Sequence, residues 1–354
     1  MLKNFWYACE FSSAVTNKPK QIVMLNQRFV LYRDSQGQVV ALNDQCPHRG
    51  AALSLGQVED GCIHCPYHGW KFQADGHCID IPANQPGVPI PKKARVDTYS
   101  VQEKYGFVWL FYGDLPETER PPIPLLPEFA DSTLHPIFLE YKMNAHYTRV
   151  IENSLCPAHI SVVHSDSFGW GFTQDQKVEE YDVDEEPWGV SAVITYENFT
   201  KPKGFFRLFF QPSRTKVQSK TTFYLPNITK VVIDFGRGKL VNYAIHLPID
   251  DNTTLSKRIQ FRSFFTYSWA DPIFVKFHHK VGMEDRVVTE SEYPKRIPEN
   301  LASEAHTPAD ALPLAFRKLR QKYLAMGWGL EPSSDNSNNL KSHPVEPTAT
   351  LSMN

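Results

Sequence analysis

Two short segments constrain this chain more than anything else in it. Cys46-Pro47-His48-Arg49-Gly50 and Cys65-Pro66-Tyr67-His68-Gly69-Trp70 together read Cys-x-His, sixteen residues, Cys-x2-His. Each segment offers one soft thiolate and one imidazole, and the prolines and glycines around them favour tight turns. A scaffold that brings two such turns together builds a mixed sulfur–nitrogen metal site. The remaining cysteines, Cys9, Cys62, Cys78 and Cys156, are too sparse in 354 residues for a disulfide framework. The stretch from Met1 to Ala14 has neither a basic start leading into an apolar run nor a cleavage site. Reduced thiols in a cytoplasmic protein are therefore expected.

A Rieske [2Fe–2S] centre needs two cysteines on one iron and two histidines on the other, and two loops that each offer one of both types meet that demand. Structural zinc also accepts a Cys2His2 set, but its knuckles usually pair like with like, as Cys-x2-Cys or His-x3-His. The mixed pairs favour the cluster, with Cys46, His48, Cys65 and His68 as ligands. Cys62 and His64 sit beside the second loop as one ligand too many of each type, and with Cys9 and Cys78 they are read as structural.

The chain around these loops divides in the manner of an α+β protein. From Phe5 to about Tyr112, short β-type runs such as QIVML, RFVLYR, QVVAL and YGFVWLFY alternate with turn residues, which predicts an all-β domain over residues 1–114. Residues 115–136 hold six prolines and are expected to be a linker, because such a segment lacks the backbone donors of a central strand or helix interior. A second domain is expected over residues 137–328: a helix from Leu139 to Val163, then runs including SAVITYENF, FFRLFFQ, KTTFYLP, KVVIDF, LVNYAIHLP and RIQFRSFFTYS forming one antiparallel sheet. Helices are predicted from Asp271 to Glu292 and from Ala309 to Met326, the latter opened by Thr307-Pro308 and closed by Gly327. Residues 329–354, rich in Ser, Asn and Pro, are expected to be a disordered tail. The net charge of −2 argues against nucleic acid as the partner, and no run reaches the ~18 apolar residues of a spanning helix.

The segments CPHRGAALSLG and CPYHGWKF resemble the Rieske domain of the Rieske non-haem iron oxygenases. Respiratory Rieske proteins add a cysteine to each loop and staple the two; Ala51 and Tyr67 stand at those places here. The missing staple and altered hydrogen bonding suggest a potential toward the low end of the roughly −150 to +300 mV Rieske range, suited to a ferredoxin-type donor.

A second metal site hangs on that resemblance. His159 and His164 are five apart and would point about 140° from each other on an ideal helix of ~3.6 residues per turn, so they share a metal only if the helix bends. The family carries such a His-x4-His as two arms of a 2-His-1-carboxylate iron site, with the third arm on a late helix. Met283-Glu284-Asp285-Arg286 resembles that segment, which makes Asp285 the expected carboxylate and Glu284 the alternative. His278 and His279, adjacent on different helix faces, are read as structural. One position departs from the family, which usually has an aspartate three residues before the first histidine to bridge toward a Rieske histidine of a neighbouring subunit. This chain has Cys156 there, a mostly neutral and weakly hydrogen-bonding thiol. Glu152 or Asn153 is expected to take over the link, or transfer between subunits is gated differently.

The resemblance covers about residues 3–330 and implies a Rieske β domain followed by a helix-grip catalytic domain. It further implies a [2Fe–2S] cluster, mononuclear Fe(II), electrons from a ferredoxin or ferredoxin reductase, O2, an apolar aromatic or cyclic substrate, and a homotrimer. The outcome would be hydroxylation, demethylation or ring oxygenation. The absence of Gly-x-Gly-x-x-Gly means that reduction must come from another protein. The N-terminal half is similar to the chlorophyll-breakdown and cell-death-suppressor branch, which includes pheophorbide a oxygenase, and to demethylating monooxygenases. A Rieske electron carrier would leave ~220 residues unexplained, and a catalytically silent relative is the reading that Cys156 suggests.

Overall fold

The computed structural model of the chain describes residues 1–165, 167, 178–196, 217–235 and 238–330. They form two compact units, Lys3–Ile123 and Met1–Leu2 with the chain from Pro124 onward. The division falls inside the proline-rich segment.

The first unit is built of strands alone, apart from short 3-10 turns. In chain order they are β1 (Phe5–Phe11), β2 (Lys20–Met24), β3 (Gln27–Arg33), β4 (Val39–Asn43), β5 (Gln57–Glu59), β6 (Cys62–His64), β7 (Lys71–Phe72), β8 (Cys78–Asp80), β9 (Thr98–Tyr99), β10 (Val101–Lys104) and β11 (Phe107–Tyr112). Three antiparallel sheets result, β1-β11-β10, β2-β3-β4-β9 and β5-β6-β7-β8. Local chemistry sets the joints. Between β3 and β4, Asp34 Oδ1 accepts from the backbone N–H of Gln36 and of Gln38, each at 2.9 Å, and Gly37 turns the chain at φ +77°. The small sheet β5-β6-β7-β8 carries the metal loops: the Cys46 segment runs into it ahead of β5, and the Cys65 segment joins β6 to β7.

The second unit contains β12 (His135–Met143), α1 (Tyr147–Leu155), α2 (Ile160–Val163), β13 (Val183–Glu186), β14 (Gly189–Tyr196), β15 (Val217–Tyr224), β16 (Ile228–Asp234), β17 (Lys239–Pro248), β18 (Thr254–Arg262), α3 (Asp271–Ser291) and α4 (Ala311–Tyr323). One antiparallel sheet of order β12-β18-β17-β16-β15-β14-β13 takes all seven strands. The helix expected from Leu139 is corrected here: residues up to Met143 are strand β12, paired with β18 from His135↔Arg262 to Met143↔Thr254. Its residues alternate in burial, with Glu140 and Lys142 exposed and Met143 buried, which is a period of two. Pro136 is tolerated because β12 is an edge strand. The run FFRLFFQ and the tail from Glu331 lie outside the described residues.

The helices cover one face of this sheet. Gly282 of α3 lies on Tyr141 of β12 so closely that a Cβ would stand 2.7 Å from the phenol oxygen, and Phe316 of α4 meets the ring of Phe223 of β15 at 4.8 Å. The strand register puts Leu139, Tyr141, Ala244, His246, Ser256 and Arg258 on that same side. The helix expected from Ala309 opens instead as a 3-10 turn, Pro308–Asp310, closed by a capping box between Thr307 and Asp310, and becomes α-helical only at Ala311; Gly327 at φ +77° closes the turn that follows α4.

Candidate metal centres

Two matching turns present the Cys/His loops. Gly50 N–H donates to the Cys46 carbonyl at 2.9 Å and Gly69 N–H to the Cys65 carbonyl at 3.0 Å; both glycines have φ near +70°, at 74° and 70°. Cys46 N–H donates to the Ala51 carbonyl at 2.8 Å and Cys65 N–H to the Trp70 carbonyl at 2.9 Å. The two thiols are buried in the core formed by Val30, Leu42, Ile63 and Phe72. The two imidazoles lie nearer the surface, their rings 4.5 Å apart, with His48 stacked on Trp70 at 4.6 Å.

The donor set fits a [2Fe–2S] group. His48 Nδ1 is buried and has no hydrogen-bond partner, as a nitrogen reserved for a metal would be. Burial, aided by the neighbouring Cys65, pushes the Cys46 thiol up to about 11. Two adjacent buried thiols become thiolates only against cationic charge, which iron supplies. The remaining thiols find backbone partners: Cys9 Sγ donates to the Val108 carbonyl and Cys78 Sγ to that of Asp80, both at 3.3 Å, and Cys62 Sγ reaches the Asp60 carbonyl at 3.7 Å.

In the second unit the expected histidine pair and carboxylate come together. One ligand atom each from His159, His164 and Asp285 lies within 4.8 Å of the others. His159 Nε2 is 3.5 Å and His164 Nε2 3.1 Å from Asp285 Oδ1. The geometric obstacle of a five-residue spacing is removed by a break. α1 stops at Leu155, Cys156 takes extended geometry (φ −76°, ψ 119°) before Pro157, and the one-turn helix α2 is flanked by His159 and His164. The imidazole rings end 5.1 Å apart.

Neighbouring groups hold all three candidate ligands in place. His159 Nδ1–H donates to the Cys156 carbonyl at 2.8 Å, and His164 Nδ1 pairs with Glu284 Oε2 at 2.8 Å, so each ring turns its Nε2 toward the carboxylate. Ser167 Oγ also donates to Glu284, at 2.6 Å. Asn153 Nδ2 donates to Asp285 Oδ1 at 2.8 Å, and the Arg258 guanidinium stands 3.9 Å from Oδ2. Burial opposes ionisation of Asp285, but His164 and Arg258 outweigh it and hold the carboxyl well below its usual range. Burial lowers His159 to about 4. Burial also works against protonation of His164, yet Asp285 and Glu284 prevail and its pKa is raised. The carboxylate and the neutral His159 suit a divalent cation, and the histidine–carboxylate set fits Fe(II) with open coordination positions.

The other expected residues are placed differently from one another. Glu284 faces the far nitrogen of His164 rather than the ligand cluster. Glu152 does not point toward an open surface: its carboxylate accepts from Arg317 Nε and from Arg317 Nη2 at 2.9 Å, with Arg149 Nη1 at 3.3 Å. Burial raises the pKa of the Cys156 thiol against the opposing pull of the His159 and Ala158 backbone N–H groups, and the Cys156 carbonyl separately accepts from the His159 ring.

Sequence reasoning missed a set of buried polar groups on the helix-covered face of the sheet. Arg258 stacks over the Tyr141 ring at 4.9 Å. Tyr141 Oη, His246 Nδ1 and His278 Nδ1 are buried without hydrogen-bond partners. Arg258 and Asp285 act electrostatically on all three. Strand alternation was the available signal, but the register that puts β12, β17 and β18 side by side is not local information.

Comparison with known proteins matches residues 5–100 to the Rieske [2Fe-2S] domain and residues 143–326 to the vanillate O-demethylase oxygenase C-terminal domain. The chain is 31% identical over 172 residues to aminopyrrolnitrin oxygenase PrnD of Pseudomonas fluorescens, covering 45% of each protein. It is 34% identical over 170 residues to 4beta-methylsterol monooxygenase of Methylococcus capsulatus, covering 46% of this chain and 45% of the relative. The matched stretches thus span about half the length of these curated relatives. Among solved structures, NdmA of Pseudomonas putida CBB5 with caffeine superposes with a TM-score of 0.76 at 26% identity, over 92% of both chains.

Proposed function

The chain belongs to the Rieske non-haem iron oxygenases, and from that premise we propose that it uses O2 and electrons from a ferredoxin or ferredoxin reductase to hydroxylate, demethylate or ring-oxygenate an aromatic or cyclic substrate. The observation that carries this reading is the convergence of His159, His164 and Asp285 in a chain that also folds the paired Cys/His loops. Cys46, His48, Cys65 and His68 would hold the cluster, and His159, His164 and Asp285 the Fe(II). When bound, these groups supply one-electron transfer and O2 activation beside substrate.

The chain's own residues supply positioning. Glu284 and the Cys156 carbonyl fix the two imidazoles, and Asn153 and Arg258 hold the Asp285 carboxylate ionised and oriented. Tyr141, His246 and His278 offer unpartnered polar atoms close by, which supports a ring substrate bearing at least one polar substituent rather than a wholly apolar one. The names of the relatives, with an aminopyrrolnitrin and a methylsterol, and the caffeine bound to NdmA, are in keeping with ring compounds.

A homotrimer is part of the proposal. Leu55 and Tyr67, 78% and 66% exposed, lie near the cluster loops, while Val162 and Val287, 65% and 70% exposed, flank the ligands of the other metal. Apolar side chains left in water at both centres are what docking between copies would cover. Among the described residues no helix is long and apolar enough to cross a membrane.

The test is O2 uptake coupled to substrate loss, with a ferredoxin, its reductase and a panel of ring compounds. Wild-type protein should show both and Asp285→Ala neither. Reduction of the cluster with no substrate-dependent O2 uptake on any compound would leave only an electron carrier.

A further inference from the structure

Arg258 of β18 lies beside a carboxylate without closing on it. Its Nη2 is 3.9 Å from Asp285 Oδ2, and both side chains are largely buried, 11% and 6% exposed. A guanidinium and a carboxylate in contact meet at roughly 2.7–2.9 Å, often through two parallel bonds, so the pair stands about 1 Å too far apart. Arg258 Nε has only a long contact to Ser256 Oγ, at 3.4 Å, within its own strand. Among the described residues no second carboxylate pulls the cation the other way.

What holds it back is a ring. Tyr141 of β12 is a diagonal neighbour of Arg258, since Tyr141 faces Ser256 and Leu139 faces Arg258 in the strand register. The guanidinium carbon lies 4.9 Å from the centre of the Tyr141 ring, within the range of a cation–π contact. The ring has no room to slide away, because its far end is caught under α3: a Cβ on Gly282 would stand 2.7 Å from both Cζ and Oη. Oη is buried without a hydrogen-bond partner, so packing rather than hydrogen bonding places the phenol. Gly282 and Asp285 are about one turn apart on α3 and both are buried. One helix face thus carries the carboxylate and clamps the ring that restrains the cation. A cation at this separation still favours ionised Asp285, whereas one in direct contact would take up the carboxylate oxygens and add its repulsion to the charge of a metal ion.

We propose that Tyr141, clamped by Gly282, is a positioning residue that keeps Arg258 from closing an ion pair with Asp285, so that the carboxylate stays available to a divalent metal ion. The proposal rests on the reading of Asp285 as a metal ligand, and it explains how a buried cation beside that carboxylate is compatible with the role. The ring face carries the effect, not the hydroxyl.

The full chain with its cluster loaded is freed of mononuclear metal and titrated anaerobically with Fe(II) by calorimetry, while cluster absorbance and Tm are followed in each variant. Wild-type protein should bind Fe(II) at a site that Asp285→Ala lacks; failure of that control would overturn the metal-site reading itself, and the proposal with it. Tyr141→Leu should bind about 10–100-fold more weakly, the scale of losing a ligand's support. Tyr141→Phe, which keeps the ring face, should bind as wild type does. Gly282→Ala displaces the ring and should weaken binding likewise, although alanine within a helix would by itself stabilise the chain; it reads the clamp should Tyr141→Leu not fold. The deciding variant is Tyr141→Leu/Arg258→Met, in which the cation that would close is gone: it should bind Fe(II) as tightly as Arg258→Met alone. Equal affinity in wild type and Tyr141→Leu would overturn the proposal. So would a double variant weakened relative to Arg258→Met as much as Tyr141→Leu is relative to wild type, because the ring would then act through packing and not through Arg258.

Discussion

The side-chain amide of Asn153 on α1 donates to Asp285 Oδ1 on α3 at 2.8 Å, joining two positions 132 residues apart in sequence. The amide fixes which oxygen of the carboxylate faces His159 and His164. Asn153→Leu should cut mononuclear iron occupancy and turnover by about 10–100-fold, the usual cost of losing a ligand's supporting hydrogen bond, and leave the cluster absorbance unchanged. Metal analysis alongside the visible spectrum checks both halves.

Adjacent residues on α3 should behave unequally. Asp285→Ala removes the proposed carboxylate ligand and should abolish turnover. Glu284→Ala only frees the Nδ1 end of His164 and should cost about 10–100-fold. Turnover kinetics of the two variants decide between them, and a reversal of the order would make Glu284 the ligand.

Removing Cys46 or Cys65 should yield colourless protein, since a thiolate ligand of the cluster has no substitute in these turns. Cys62→Ala should remain coloured, because Cys62 Sγ is turned toward the Asp60 carbonyl. Bleaching of the Cys62 variant would show that the ligand set is misassigned.

The cluster of Arg149, Arg317, Glu152, Glu292 and Glu304 has one more carboxylate than guanidinium groups. Burial raises Glu292 to about 7 despite Arg149 beside it. A carboxyl raised in the folded state contributes stability that is complete below its unfolded value and lost as pH rises through about 7. Glu292→Gln should therefore raise Tm at pH 8 and change it little at pH 5. Glu152→Gln, which strips Arg317 of its principal partner, should instead destabilise by about 3 kcal/mol, the usual scale for breaking a buried pair. Rieske reoxidation should slow no more in Glu152→Gln than the loss of folded protein explains, and Cys156→Asp should preserve or speed it.

What the sequence made legible followed the range of each interaction. Cys46, His48, Cys65 and His68 could be read because their spacing is set within single turns closed by Gly50 and Gly69. The five-residue spacing of His159 and His164 does not by itself bring the rings together; the break at Cys156-Pro157 lets α2 place one ring at each end. Asp285 came from family resemblance alone, since a helix carboxylate looks the same whether or not it meets a metal. Leu139–Met143 is strand rather than the expected helix because its register with β18 decides its state, and the surroundings of Arg258 and His246 are not legible in the sequence because they are assembled from distant strands and helices.

Analysis of iron and acid-labile sulfide in the purified chain tests the two-centre account most directly. Wild-type protein should contain roughly three irons and two sulfides, and Asp285→Ala roughly two of each. Zinc in place of iron, no labile sulfide, or an unchanged iron count in Asp285→Ala would contradict it.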